Sequence, residues 1–161
     1  MWTVIDSPIG ELRLVAQDAA LTAIEFSPFV ADRPVGERVD DDPVLLACAA
    51  QLGEYFAGER REFDLPLAPA GTEFQHQVWE QLREIAWGAT ASYGEIAHRL
   101  GRTNAASRAV GLANGRNPIP VVIPCHRVVG ADGTLTGYAG GLARKQILLD
   151  LESPGRAEAL F

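Results

Sequence analysis

The sequence predicts an α+β chain (α/β in the broad sense) in two parts: a small N-terminal domain with an antiparallel sheet and a helix, then a mostly helical domain bearing a helix-turn-helix. Three observations lead there. Alternating apolar residues fill three short runs in the first 26 residues; Pro66 to Gly71, with two prolines and a glycine, interrupts regular structure; beyond it helix-capping patterns follow one another closely. A chain of 161 residues, 47% hydrophobic, can bury one good core or two small ones.

Trp2 to Ile5, Glu11 to Ala16 and Leu21 to Phe26 read as strands, with Leu12 and Leu14, and Thr22, Ile24 and Phe26, at alternating positions. Ser7-Pro8-Ile9-Gly10 and Gln17-Asp18 supply the turns. A helix is expected to begin behind Asp41 or Asp42, to turn Leu45, Cys48, Leu52 and Phe56 inward, and to stop at Gly58. The boundary placed in PLAPAG gives a support domain at 1–68 and a second domain at 69–161. Thr72 with Gln75 is a capping-box pattern for a helix that buries Phe74, Val78, Leu82 and Ile85 and ends at Trp87-Gly88. Ser92 and Glu95 open another helix through Leu100; Gly101 stops it, and Thr103 or Asn104 caps a third through about Leu112. Two short helices on a tight turn suggest a helix-turn-helix. The last helix is expected from Leu142 to Leu151, with little structure after Glu152.

No run approaches the roughly 20 apolar residues of a membrane helix, and MWTVIDSPIG lacks the regions of a secretory signal, so a cytoplasmic protein is expected, near the nucleoid if the source is prokaryotic. Cys48 fits a helix core and Cys125 adjoins a histidine, so both are expected as reduced thiols. The net charge of −7 argues against a nucleic-acid partner until the chain is divided. Residues 1–89 hold 16 acidic and 6 basic side chains, whereas residues 90–161 hold 5 acidic and 8 basic. An anion-binding C-terminal part on an acidic support fits that asymmetry, and so does ordinary solvated surface charge.

In the run Val121 to Gly130, a thiol and an imidazole, Cys125 and His126, interrupt apolar sequence. A thiol attacks as thiolate, and a nearby base can take its proton directly or through one water if a third group orients the imidazole. Neighbouring side chains of an extended segment point apart, so a bridging water or a tight turn at Pro124 is the easier arrangement. A buried cysteine beside a satisfied core histidine is the rival reading of the dipeptide alone.

Three further motifs surround it: Asn114-Gly115-Arg116-Asn117-Pro118-Ile119-Pro120, Thr136-Gly137-Tyr138-Ala139-Gly140-Gly141, and Leu148-Leu149-Asp150-Leu151-Glu152. With Pro124-Cys125-His126-Arg127-Val128 these closely resemble the O6-alkylguanine-DNA alkyltransferase family over about residues 72–152; the N-terminal part is similar only in general pattern and in Phe56-Ala57-Gly58. The resemblance implies Cys125 as alkyl acceptor, His126 as base through water, Glu152 as the carboxylate that holds His126, and Asn117 as a brace for the surrounding turns. Tyr93 would donate a proton to the leaving guanine. Tyr138 would form a pocket side wall and Pro120, with Pro118, would stiffen another. Backbone groups of Cys125, Val128 and Ala139 would read the guanine edge, with Gly137, Gly140 and Gly141 permitting close approach.

The partner so implied is double-stranded DNA carrying O6-alkylguanine, with O4-alkylthymine a second candidate, approached through the minor groove by a monomer that can bind cooperatively. The damaged nucleotide must be flipped out. Arg108 would take its place, and small Ser107, Ala109 and Gly111 would let a nearly bare helix sit close to the groove. The thioether left on Cys125 offers water no polarised bond, so the protein would act once, without cofactor. Only Cys48 and His76 precede the motifs, too few for the structural zinc of some members, and no metal is expected. The turn Gly101-Arg102-Thr103-Asn104 carries one residue more than the usual spacing between Tyr93 and Arg108, which bears on DNA affinity. The alternatives are a non-catalytic lesion sensor or helix-turn-helix regulator, against which Cys125 argues, and a cysteine hydrolase or redox enzyme, of which the absence of CxxC weakens the redox version.

Overall fold

A computed structural model describes residues 1–30 and 36–153. The proposed loss of structure after Glu152 falls almost wholly outside them. The chain divides into two compact units, residues 1–70 with 118–120, and residues 71–117 with 121–161. No described helix is long and apolar enough to cross a membrane.

In the first unit β1 (Trp2–Ile5), β2 (Leu12–Gln17) and β3 (Ala20–Phe26) form an antiparallel meander in that order, with Trp2 opposite Val15 and Leu12 opposite Phe26. The β2–β3 turn sits one residue later than expected. Asp18 and Ala19 both take the left-handed backbone, φ 52° and 61°, whose twist matches that of the flanking strands. Period-two spacing turns Leu12, Leu14 and Ala16 to one face, where they are buried with Leu21 and Ile24. Arg13, on the other face, reaches Glu25 directly across the pair at 2.7 Å, and its guanidinium lies over the Trp2 and Phe29 rings.

The helix α1 (Pro43–Phe56) packs on β2 and β3. Asp42 caps it, its carboxylate accepting from Val44 N at 3.0 Å and Leu45 N at 3.1 Å. Leu45, Cys48, Leu52 and Tyr55 are the buried stripe; the expected Phe56 is only half-buried, because the 3-4-3 spacing carries the inward face to Tyr55. Each fully buried leucine here contributes roughly 1.5–3 kcal/mol. Asp42→Ala is expected to cost about 1 kcal/mol, seen as a lower urea midpoint at unchanged slope.

The proline-rich stretch is tied down rather than free: Leu21 N donates to Pro66 O, and Ala68 N to Leu21 O, both at 2.8 Å. It therefore covers the open edge of β3. Ile24 N donates to Pro118 O at 2.9 Å, which places residues 118–120 with this unit despite their distance in sequence.

The second unit begins with α2 (Glu73–Arg83), closed by the reciprocal bonds Gln75 N to Thr72 Oγ1 and Thr72 N to Gln75 Oε1. Val78, Trp79 and Leu82 are buried, and Trp79 Nε1 donates to Ala113 O at 2.8 Å. Phe74 is half-buried beneath the Arg102 guanidinium. The helix ends four residues before Trp87, its last turn tightened by Glu84 N to Gln81 O and Ile85 N to Leu82 O. That early stop frees the Ile85 carbonyl, which takes a hydrogen bond from Arg127.

A parallel pair absent from the expectations follows: β4 (Ala91–Ser92) lies beside β5 (Val128–Val129). Ser92 caps α3 (Tyr93–Arg99), accepting from Glu95 N at 3.1 Å, and Gly101 leaves it at φ 74°. The next cap is not made as expected. Thr103 makes no side-chain cap bond, Asn104 Oδ1 lies 3.1 Å from His98 Nε2, and a 3-10 turn at Asn104–Ala106 leads into α4 (Ser107–Gly115). Val110, Ala113 and Asn114 face inward from α4. The final helix, α5 (Leu142–Leu151), ends at Glu152.

Candidate active site

The segment turns at Pro124, one of the two arrangements offered by the sequence. A tight turn at Pro124, closed by Cys125 N to Ile123 O at 2.8 Å, leads into one 3-10 turn, Cys125–Arg127, closed by Arg127 N to Pro124 O at 3.0 Å and Val128 N to Cys125 O, ahead of β5. Successive residues of such a turn leave its axis about 120° apart, so Cys125 and His126 project in different directions.

The His126 ring is fully buried and its Nε2 lies 2.7 Å from Glu152 Oε2. Arg127 grips the same carboxylate twice, Nε to Oε1 at 2.7 Å and Nη2 to Oε2 at 3.0 Å, while Nη1 donates to Ile85 O at 2.6 Å. Burial alone would raise the Glu152 pKa, but the bonds and charges of His126 and Arg127 hold it at about 2. Burial lowers His126, and the Arg127 and Lys145 charges help it outweigh the pull of Glu152. The imidazole is thus neutral near pH 7. An ionised Glu152 requires the proton on Nε2, which leaves the lone pair on Nδ1. Nδ1 is buried and has no hydrogen-bond partner among the described residues.

Cys125 is 4% exposed. Burial pushes its thiol up to about 11, against the lowering influence of the Asn117 amide, the nearby Lys145 charge and the Tyr138 side chain. Asn117 Nδ2 also donates to Ile123 O at 2.8 Å, and Asn114 Nδ2 reaches Cys125 O at 3.4 Å. The resting sulfur therefore holds its proton in a polar nest able to receive charge once a base acts.

The sequence reading missed two members of this cluster. Arg127 was part of a motif without a role of its own. Lys145 is fully buried, donating from Nζ to Val128 O at 2.7 Å and Thr136 O at 3.1 Å. Its signal lay in α5, where Lys145, Leu148 and Glu152 share one inward face at spacings of three and four.

The fold gathers Cys125, His126, Glu152, Asn117 and Tyr138, and ties Val128 to them through Lys145. Ala139 stays exposed, and Pro120 is buried in the segment that groups with the first unit. Of the three glycines read as permitting close approach and unusual dihedrals, only Gly141 has a positive φ, 90°; a Cβ at Gly137 would meet open space. Among the described residues no group of three or more side chains gathers to hold a metal ion.

Tyr93, the first residue of α3, bonds through its hydroxyl to Thr136 Oγ1. With Ser107, Arg108, Gly111, Leu112 and Thr136 it lines a hollow of about 400 Å³. Arg108 and Ala109 are exposed. The expectation of a nearly bare helix is corrected by Leu112, which is 64% exposed.

A closed cysteine site with a neutral, carboxylate-held histidine, in the unit that also carries a helix-turn-helix, defines a nucleic-acid-directed protein acting through a thiol. Comparison with known proteins makes this specific. Residues 73–154 match the family described as 6-O-methylguanine DNA methyltransferase, DNA binding domain, and residues 1–69 match its ribonuclease-like domain. The chain is 50% identical over 151 residues to the methylated-DNA–protein-cysteine methyltransferase of Mycolicibacterium paratuberculosis, covering 94% of this chain and 91% of that protein. The relative of the same name from Methanosarcina acetivorans is 47% identical, with 94% and 97% covered. Among solved structures, Mycobacterium tuberculosis OGT in complex with DNA is similar at 46% identity and TM-score 0.85, over 96% of each chain. The chain belongs to the 6-O-methylguanine DNA methyltransferase family.

Proposed function

We propose that Cys125 removes the alkyl group from O6-alkylguanine in duplex DNA and keeps it, one lesion per chain. The activity is that of the family, DNA repair by transfer of a methyl group to a protein cysteine. The observation that carries the assignment to Cys125 is its placement: buried, beside the Asn117 amide and the Lys145 charge, and next to an imidazole whose Nδ1 has no protein partner among the described residues.

In this reading His126 Nδ1 takes the thiol proton through one water while Glu152 receives the Nε2 proton's hydrogen bond and balances the imidazolium. The sulfur lone pair forms the S–C bond as the C–O6 bond breaks, and the electron pair leaves on guanine. Tyr93 exchanges Thr136 for a guanine ring nitrogen and donates the proton that neutralises it. Tyr138 walls the pocket, backbone groups of Cys125, Val128 and Ala139 read the purine edge, and Pro120 stiffens its surroundings. Val128 O already accepts from Lys145, which leaves its second lone pair for a ligand.

DNA is met through the minor groove by α4: Arg108 fills the gap left by the flipped nucleotide, and Ser107, Ala109 and Gly111 allow close approach. The division of labour proposed is support by 1–68 and chemistry by 69–161, in a monomeric cytoplasmic protein. Titrating a duplex with one O6-methylguanine against the protein tests this. The expected endpoint is one lesion cleared per chain, with no further turnover on longer incubation; clearance of many equivalents would overturn it.

A further inference from the structure

The sequence gives α4 a stripe at four-residue spacing, Arg108, Leu112 and Arg116, the last at the helix C-cap. A helix rises about 1.5 Å per residue, so the leucine sits about 6 Å from each arginine along the axis and within about 40° of it around the axis. Leu112, at 64%, is the most exposed large apolar side chain among the described residues. Arg108 and Arg116 are exposed as well, and neither makes an ion pair with a described residue. No acidic side chain lies on α4.

The hollow beside Leu112 is lined largely by apolar atoms. Tyr93 lies so close to Gly111 that a Cβ there would touch its ring at 3.7 Å, and the Tyr93 and Thr136 hydroxyls are spent on each other. An apolar projection between two unpaired cations matches a surface in which deoxyribose walls lie between phosphate rows. It mismatches a protein surface, which seldom presents two rows of anions.

We propose that Leu112 is an apolar anchor on duplex DNA, packing against deoxyribose in the minor groove while Arg116 meets a phosphate. The proposal rests on the reading of α4 as the DNA-binding helix. Such a contact is blind to sequence and releases no counterion, so it adds affinity that salt does not screen. That suits a chain with a net charge of −7.

The test is fluorescence anisotropy with an undamaged duplex across a potassium chloride series. Leu112→Ala is expected to weaken binding roughly fivefold by the same factor at every salt concentration, and Leu112→Met to restore it. Arg116→Ala is expected to flatten the plot of log affinity against log salt by about one unit of slope. An unchanged urea midpoint shows that the exposed substitutions leave the fold intact. If Leu112→Ala binds as the parent does, or its effect fades as salt rises, the anchor is wrong while DNA binding stands. If the parent protein binds no duplex, the underlying reading fails instead. A parent that sediments as a dimer and becomes monomeric on Leu112→Ala assigns the face to a second copy and also overturns the proposal.

Discussion

Cys125→Ser is expected to reduce methyl uptake from O6-methylguanine DNA by at least about 10⁴-fold, effectively to zero. The substitution exchanges one atom beside the Asn117 amide. Little repacking is therefore expected. What is lost is nucleophilicity: a neutral imidazole that can assist a thiol raised to about 11 has far less leverage on an alcohol. The helices α3 and α4 are untouched, so affinity for the damaged duplex should persist. A single-turnover assay paired with anisotropy separates the two quantities, and clearance by the serine variant at a tenth of the parent rate would be incompatible with a thiol acceptor.

Glu152→Ala is expected to destabilise the fold by about 3–5 kcal/mol, the cost of leaving a buried cation unpaired. Its carboxylate accepts hydrogen bonds from His126 and, twice, from Arg127, and the residue is only 2% exposed. The same group makes stability depend on acid. Held at about 2 in the fold against an ordinary 4.5, Glu152 binds its proton first in the unfolded chain as pH falls. Roughly 3 kcal/mol, present above about pH 4.5, is thus lost on the way down to about pH 2. His126 acts in the same direction but earlier: its pKa is lowered in the fold, so protonation below its ordinary 6.5 also favours the unfolded state. Urea midpoints against pH should show both losses in the parent, and the alanine variant should lack the one between pH 4.5 and 2. A variant with the parent's midpoint at pH 7 would remove Arg127 and Glu152 from the structural core of the site.

Features set by neighbours in sequence were the legible ones. The Thr72–Gln75 capping box, the Asp42 cap, and the span of α5 depend on residues within one or two turns, and each lies where its pattern puts it. The early end of α2 was not legible, because Ile85 O is claimed by Arg127 from 42 residues away. Nor was the β4–β5 pair, two residues on each side and 37 apart, too short to leave an alternating pattern. The same holds within the site. Cys125 and His126 stand out as polar residues in an apolar run, and surrounding motifs named Glu152, but Lys145 gains its place only when Val128 and Thr136 turn their carbonyls toward α5.

Peptide mass mapping after reaction with an O6-methylguanine duplex bears most directly on the acceptor. The expected result is a single added methyl group on the peptide containing Cys125, in amount equal to the lesion lost, with Cys48 unmodified. A methyl group found on Cys48, or complete loss of the lesion with an unmodified protein, would contradict it.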